Sequence, residues 1–457
     1  MPGTVTAQHF KDARLDQLAN VGNVAQFVSF GVDLQQRYSR IRGFERNHMF
    51  PAVGEAVKAL LGQSPERRVN IRSFRPDDPQ GHEFIYGKES VEVVEREIRR
   101  LTASELFVIV NETVDVNDGG VSGVAHGDIM EFAPGATPRV VETGQIVSAS
   151  RTIGELLLET VYGFRPSLPK GPRELRVEFS IHPVRRGVAN EHTIIWEAEE
   201  VPIDYEHTIP KWPNDFSRFI GDKAFGLLLA NVVGLRVPRT RVVGRNVLPF
   251  TFGDETNSDV KWLRTAPRVP EPGLFPTVRG WRDPFELMAS VPGNERVASV
   301  LIQDEVSAKF SGALITDRDE KAIIEGVTGF GDNFMLGRVG PSALDPDLFS
   351  KLEALHEKLI GCIGTVRAEW AFDGERIWIM QLQQEAAISK GQVIVPGEVQ
   401  FEEEFHVSSG LSGLRELVEL IEGRDVGIKI IGNVGMTSHI ADVLRRHRIP
   451  SRIASNE

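Results

Sequence analysis

The sequence predicts an α+β or α/β fold: two tandem, related units followed by a small α/β segment. Three observations predict it. Short β-branched runs alternate with helically spaced apolar residues along the whole chain. Three stretches of the first half recur in the second half in the same order. A Pro-rich stretch at 202–213, with acids and aromatics but no apolar period, separates the halves. Length agrees, because 457 residues accommodate about three domains at ~150 residues each. The expected bounds are 1–205, 206–390 and 391–457.

Residues 106–110 (LFVIV) and 300–302 (VLI) read as strands, whereas 225–231 and 352–360 carry helical spacing. Residues 411–421 read as an amphipathic helix beginning near Ser412, and 166–172 (PSLPKGP) as a loop. The repeat is clearest between RLTASELFVIVNETVDVNDGGVSGV at 100–124 and RVASVLIQDEVSAKFSGALIT at 296–316. Each reads as a strand, a polar-acid-x-Val turn, then Ser-Gly and a second strand. Arg176-Val177-Glu178-Phe179 echoes Arg367-Ala368-Glu369-Trp370, and Asn70-Ile71-Arg72-Ser73 echoes Trp262-Leu263-Arg264-Thr265. Three echoes in one order indicate a duplicated unit.

Composition removes several function classes. Hydrophobic residues make up 41% and charged residues 25%, the balance of a globular protein with a core of ordinary size. Cys362 is the single cysteine, so an internal disulfide and a thiolate metal cluster are both excluded, as suits a reducing compartment. No run approaches the ~18–20 apolar residues that span a bilayer, and the first residues lack an apolar signal core. A cytoplasmic protein without a membrane partner is expected. The net charge of −12 repels phosphate backbones, so no nucleic-acid partner is expected. Arg445-Arg446-His447-Arg448 reads as a solvated helix end. His182, His192 and His207 are too scattered for a metal site. The run DVNDGG at 115–120 lacks the twelfth-position Glu of a calcium loop and reads as a turn.

Two stretches carry chemistry. Lys223 follows Gly221 at the start of a helix, and a helix N-terminus with a mobile ammonium beside it suits a polyphosphate. His439, in GMTSHIADV at 435–443, also falls at a helix start. A neutral imidazole is a competent nucleophile towards phosphorus near pH 7.

In context, these stretches resemble the phosphoenolpyruvate synthase and pyruvate phosphate dikinase family. GDKAFGLLLANVVGLRVPRTRVV at 221–243 is similar to the opening of that family's ATP-grasp domain. VLIQDEVSAKFSGALIT at 300–316, IEGVTGFGD at 324–332, GRVGP at 337–341 and RAEWAFDGERIWIMQ at 367–381 resemble its later motifs, in the family's order. The resemblance implies an ATP-grasp-like fold that binds ATP and Mg²⁺. It implies that Lys223 and Arg264 contact phosphates, that Gln303, Asp304, Glu305 and Val306 form the hinge against adenine, and that Glu369 and Gln381 hold the metal. One departure stands out: the family's Arg two residues after the Gln is Gln383 here, so the missing charge must come from elsewhere, with Arg338 and Arg268 as candidates, or the site only binds.

The first unit is more eroded. Asn23 is expected where the Lys belongs, while Arg72 is retained and Glu178 and Glu197 stand for Glu369 and Gln381. It is either a non-catalytic pseudo-repeat or a partner in a composite site to which Arg72 adds charge. The C-terminal segment resembles the family's swivelling phosphohistidine domain, shortened, with His439 as the phosphorylated residue and Thr437 and Ser438 as ligands for phosphoryl oxygens. The expectation is an ATP-dependent phosphotransferase that passes a phosphoryl group through His439 to a small-molecule or protein acceptor. The alternatives are an ATP-grasp ligase forming an acyl phosphate and a non-catalytic ATP-binding regulatory protein. A homo-oligomer is compatible with either.

Overall fold

The computed structural model describes residues 10–76, 82–115, 117–137, 145–202, 209–269, 277–291, 293–317, 319–384 and 392–454. The chain divides into two compact units, one of residues 1–155 with 164–208 and one of residues 156–163 with 209–457.

The first unit begins with α1 (Lys11–Leu18), β1 (Phe27–Phe30), β2 (Gln36–Arg40), α2 (Val53–Gln63), β3 (Val69–Phe74), β4 (Phe84–Lys88), α3 (Val91–Ala103) and β5 (Phe107–Glu112). Its strands pair in the order β2-β1-β5-β3-β4, all antiparallel. Helix α3 shows why these elements form. Ser90 caps it by accepting from the Val93 N–H, and Val94, Ile98 and Leu101 recur on one face at helical spacing. That face buries against Ala56, Val57 and Leu60 of α2 and against the sheet. A second sheet follows from β6 (Val121–His126), β7 (Ile129–Pro134), β8 (Val147–Ser150), β9 (Leu175–Arg186) and β10 (Glu191–Glu200), in the order β10-β9-β6-β7-β8. Helix α4 (Arg151–Tyr162) lies between β8 and β9 in the chain.

The second unit repeats this plan. Helices α5 (Asp215–Ile220) and α6 (Asp222–Val232) precede β11 (Thr240–Gly244), β12 (Phe250–Phe252), β13 (Lys261–Pro267), β14 (Thr277–Arg279), α7 (Pro284–Ser290) and β15 (Val297–Asp304). The sheet order is β12-β11-β15-β13-β14. Then come β16 (Phe310–Thr316), β17 (Ala322–Thr328), α8 (Asp332–Met335), α9 (Pro346–Ile363), β18 (Val366–Phe372) and β19 (Ile377–Gln384), ordered β17-β16-β18-β19. The first sheets of the two units therefore share one strand order, and the second sheets differ only by the extra edge strand β8. Register agrees as well. Arg72 lies opposite Ile109 as Arg264 lies opposite Leu301, and Glu178 lies opposite Glu197 as Glu369 lies opposite Gln381. The side-chain period of a strand is two, so a slip of one residue would reverse every face. Identical register is thus strong physical support for a duplication. The architecture is α+β, in two tandem units.

One equivalence is corrected by this register. The Ile195 N–H donates to the Asn23 carbonyl as the Ile379 N–H donates to that of Arg236, so Asn23 corresponds to Arg236, not to Lys223. Its side chain is structural: it donates to the Arg186 and Thr193 carbonyls and accepts from the Ala189 N–H. The counterpart of Lys223 lies at the start of α1.

The C-terminal segment is a small α/β layer within the second unit. It comprises β20 (Val393–Val395), β21 (Phe401–His406), α10 (Gly410–Ile421), β22 (Val426–Ile431), α11 (His439–His447) and β23 (Ser451–Ile453), with strand order β20-β23-β22-β21. The pairs β21–β22 and β22–β23 are parallel, so helices serve as crossovers. Leu414, Val418 and Ile421 of α10 and Ile440, Val443 and Leu444 of α11 bury with Ile428 and Ile430 in its core. The basic run 445–448 ends α11, and Arg448 closes the helix in the left-handed conformation.

Candidate active site

The site is built on one row of residues across the second sheet of the second unit. Ala313 of β16 lies opposite both Glu325 of β17 and Glu369 of β18, and Glu369 lies opposite Gln381 of β19. Directly opposed residues share a face, so Glu325, Glu369 and Gln381 line one side of the sheet. Helix α6 packs onto β19, and Gly226 is why it can: a Cβ there would sit 2.0 Å from the Leu382 carbonyl oxygen. This close approach carries Lys223, one turn earlier, to the same face. Gly221 precedes α6 with φ +98°, a conformation that favours glycine.

The C-terminal segment reaches this row through Glu325. Its carboxylate accepts from the backbone N–H groups of Met436 and Thr437, at 3.0 and 2.8 Å, and from the Thr437 hydroxyl at 2.7 Å. Gly435 permits the approach, since a Cβ would lie 2.6 Å from the Glu325 oxygen. Ser438 is then the N-cap of α11 and His439 its first residue. The His439 Nδ1 lies 3.2 Å from the Asp442 carboxylate.

Charge ties the pieces together. Burial pushes the Lys223 ammonium down to about 8, and Arg264 adds to this while Glu369 and Asp222 oppose it. Burial alone would raise the Glu369 carboxyl. Arg367, the His439 ring when protonated, Arg264 and Lys223 outweigh burial and hold it below the usual carboxylate range. Burial lowers His439 to about 4, helped by Arg367, Lys223 and Arg415 and opposed by Glu369. The imidazole is therefore neutral near pH 7. Beside Lys223, the Asp222 carboxyl is pushed up to about 7 by burial, and neither of its oxygens has a hydrogen-bond partner.

Of the residues expected at the site, Lys223, Arg264, Glu369, Gln381 and His439 come together. The hinge is only partly committed to a ligand. Gln303 is fully buried, donates weakly to the Thr240 hydroxyl at 3.3 Å and leaves its amide oxygen unpaired. The carboxylates turn elsewhere: Asp304 pairs with Lys261 at 2.7 Å, while Glu305 accepts from Arg279 and from the Trp262 indole. Val306 is buried in a small cluster with Ala371 and Trp378. Arg72 belongs to the first unit, where its guanidinium lies over the rings of Phe84 and Trp196. Thr437 and Ser438 differ from expectation, because Thr437 donates to Glu325 and Ser438 to the Gly435 carbonyl. Neither hydroxyl proton is left for a phosphoryl oxygen.

Two residues that bear on this site were not legible as such. Arg367 lies directly opposite Gln383, the position that lacks the family's arginine. It is buried and bonds the Asp442 carboxylate and the Thr437 carbonyl. Arg338 instead meets Asn333 at the surface. Asp442, buried in the first turn of α11, also receives Arg445 at 3.3 Å. Beside this region an open cleft of about 880 Å³ is lined by Arg338, Arg415, Asn433 and Ser408 to Ser412, with no acidic side chain among its described lining residues.

The residues fit the groups that the resemblance implies. The Nε of Arg264 and the amide oxygen of Gln303 are buried and unpaired, one suited to an anion and the other to a donor such as an amino group. Glu369 and Gln381 offer hard oxygen ligands. Among the described residues no cluster of three or more His, Cys, Asp or Glu forms a metal cage. Mg²⁺ matches this arrangement, since it takes one or two protein ligands and completes its shell with phosphates and water.

No family model and no curated protein matches the sequence. Among solved structures, the chain is similar to D-alanine–D-alanine ligase from Helicobacter pylori, with TM-score 0.26 and 13% identity over 37% of this chain and 52% of that one. It is similar to an ATP-grasp RimK domain protein from Sphaerobacter thermophilus, with TM-score 0.24 and 18% identity over 36% and 58%. The macrocyclase MdnB from Microcystis aeruginosa matches with TM-score 0.23 and 14% identity over 51% and 88%. The chain spans just over half the length of the first two. At these identities and TM-scores the likenesses assign neither a family nor an activity. Of the three, the RimK domain protein is the one named as ATP-grasp. Among the described residues no helix is long and apolar enough to cross a membrane.

Proposed function

We propose that the second unit binds ATP with Mg²⁺ and transfers the γ-phosphoryl group to His439. The observation that carries this reading is the placement of a neutral imidazole against Lys223, Arg367 and Glu369, on a segment seated by Glu325. Phosphoryl transfer needs charge neutralisation and in-line positioning more than a reactive nucleophile. Lys223 and Arg264 supply cations for the phosphates. Glu369 and Gln381 would hold Mg²⁺, which would supply charge neutralisation for the transferring phosphoryl group. His439 donates its Nε2 lone pair to the γ-phosphorus, the bond from phosphorus to the β,γ-bridging oxygen breaks, and ADP leaves with that electron pair. A second attack by an acceptor returns the histidine. The cationic cleft beside the segment favours an anionic small molecule in that role, in a chain whose net charge is −12.

A second reading is an ATP-grasp ligase, in which a bound carboxylate takes the phosphoryl group as an acyl phosphate. It uses Lys223, Arg264, Glu369 and Gln381 in the same way and leaves His439 idle. Incubation with γ-labelled ATP separates the two. Acid-labile label on the wild-type protein, absent from His439→Ala, is the expected result. ADP formation that needs an added acid and amine and is indifferent to His439→Ala supports the ligase instead. A wild-type protein that never takes label rules out the phosphohistidine step.

A further inference from the structure

We infer that Asp442 is a positioning residue that fixes the His439 ring with its proton on Nδ1 and Nε2 bare for attack. The inference rests on the phosphohistidine reading but uses a residue to which the resemblance gives no role, because Asp442 stands at a variable position of the matched motif. The geometry is specific. His439 and Asp442 are three residues apart on α11, where side chains are neighbours, and Nδ1 lies 3.2 Å from Oδ2. An ionised carboxylate only accepts, so the ring nitrogen facing it carries the proton and the other keeps its lone pair.

Asp442 is itself held from three directions. Arg367 of β18 bonds the same oxygen, Oδ2. Arg445, one turn on, reaches Oδ1 at 3.3 Å. The Asp442 backbone N–H bonds the Ser438 carbonyl at 3.1 Å. Arg367 also donates to the Thr437 carbonyl at 2.6 Å. One guanidinium therefore fixes both the backbone before the histidine and the carboxylate that orients it. A helix-start acid that only complemented the macrodipole would need neither arginine. The two guanidinium groups also offset the carboxylate's charge, so orientation is obtained without drawing a second proton onto the ring.

The test uses the full chain with ¹⁵N-labelled histidine, and reads the ring tautomer by NMR beside the rate of labelling by γ-labelled ATP. Wild type is expected to show His439 as the Nδ1–H tautomer. Asp442→Asn keeps size and shape but presents an amide, and is expected to shift the ring towards Nε2–H and slow labelling by on the order of 10²-fold or more. ATP affinity, set by Lys223 and Arg264, should be unchanged. Asp442→Glu should restore part of the tautomer and part of the rate. If wild type labels on His439 while Asp442→Asn keeps both tautomer and rate, the positioning role is wrong and the phosphohistidine reading stands. If wild type takes no label, that reading fails and this inference falls with it.

Discussion

At the scale of single residues, Lys223 bears the heaviest demand. It sits half-buried at a helix start, in the field of Arg264, Glu369 and Asp222, with its ammonium lowered to about 8. A cation held there without a bonded partner among the described residues gains most from an incoming polyphosphate. Lys223→Ala should weaken ATP binding by at least about 10-fold, since one charge-assisted hydrogen bond contributes roughly 1.5–3 kcal/mol. Calorimetric titration with ATP and Mg²⁺ checks this, and an unchanged affinity would move the nucleotide away from α6. Arg367 differs in kind. Its guanidinium is taken by Asp442 and Thr437 while the segment is seated, so its substitution should disturb His439 before it disturbs ATP.

At the scale of elements, two contacts decide whether the site assembles. The first is α6 on β19. Gly226→Ala would drive a methyl group into the Leu382 carbonyl, and overpacking of this kind costs about 1–3 kcal/mol. A lower denaturant midpoint together with weakened ATP binding is expected, because the shift moves Lys223. The second is the seat that Glu325 makes for 436–437. Glu325→Gln replaces a charged acceptor of three hydrogen bonds by an amide with one oxygen. Amide hydrogen exchange at Met436 and Thr437 should then quicken, by on the order of 10-fold or more for roughly 1.5–3 kcal/mol lost. Exchange equal to wild type would show that the seat contributes nothing. Elements were also where the sequence was most readable. The duplication was visible because strand period and register leave a fixed pattern, Ser-Gly followed across the sheet by Arg-x-Glu. Glu369 and Gln381 stood in that pattern, whereas Lys223 and His439 were legible from their places at helix starts and from the family resemblance. Arg367 stood in the pattern without a role of its own and Asp442 did not stand out, since their meaning lies in which residue is opposite them across a sheet or one turn along a helix. Asn23 misled because the helix before β1 carries no Gly-bracketed Lys to anchor the alignment. The hydroxyls of Thr437 and Ser438 misled because a motif shows side chains but not the bonds that already occupy them.

At the scale of the whole molecule, two groups with shifted titrations give opposite pH dependences, and their sum is measurable. His439 ionises only near pH 4 in the folded protein, against about 6.5 unfolded. Between those values the unfolded chain binds the extra proton, so folding loses stability as pH falls. Asp222 works the other way. Its folded value of about 7 lies above the ordinary 3.8, so the folded state holds a proton that the unfolded chain has released. Stability from this group is complete below about pH 4 and drains away as pH rises to 7. The carboxyl is buried with both oxygens unpaired, so the cost at neutral pH is real and on the order of a few kcal/mol. Asp222→Asn removes the ionisation and keeps the shape. It should raise the melting temperature at pH 8, with the gain shrinking steadily towards pH 4. In the same variant the acid-side loss from His439 is no longer masked, so stability should fall more steeply from pH 6.5 to 4 than in wild type. Adding His439→Ala should flatten that limb. A melting temperature for Asp222→Asn that tracks wild type across pH 4–8 would mean that the carboxylate is stabilised in the folded chain, and that Lys223 already has its counter-ion.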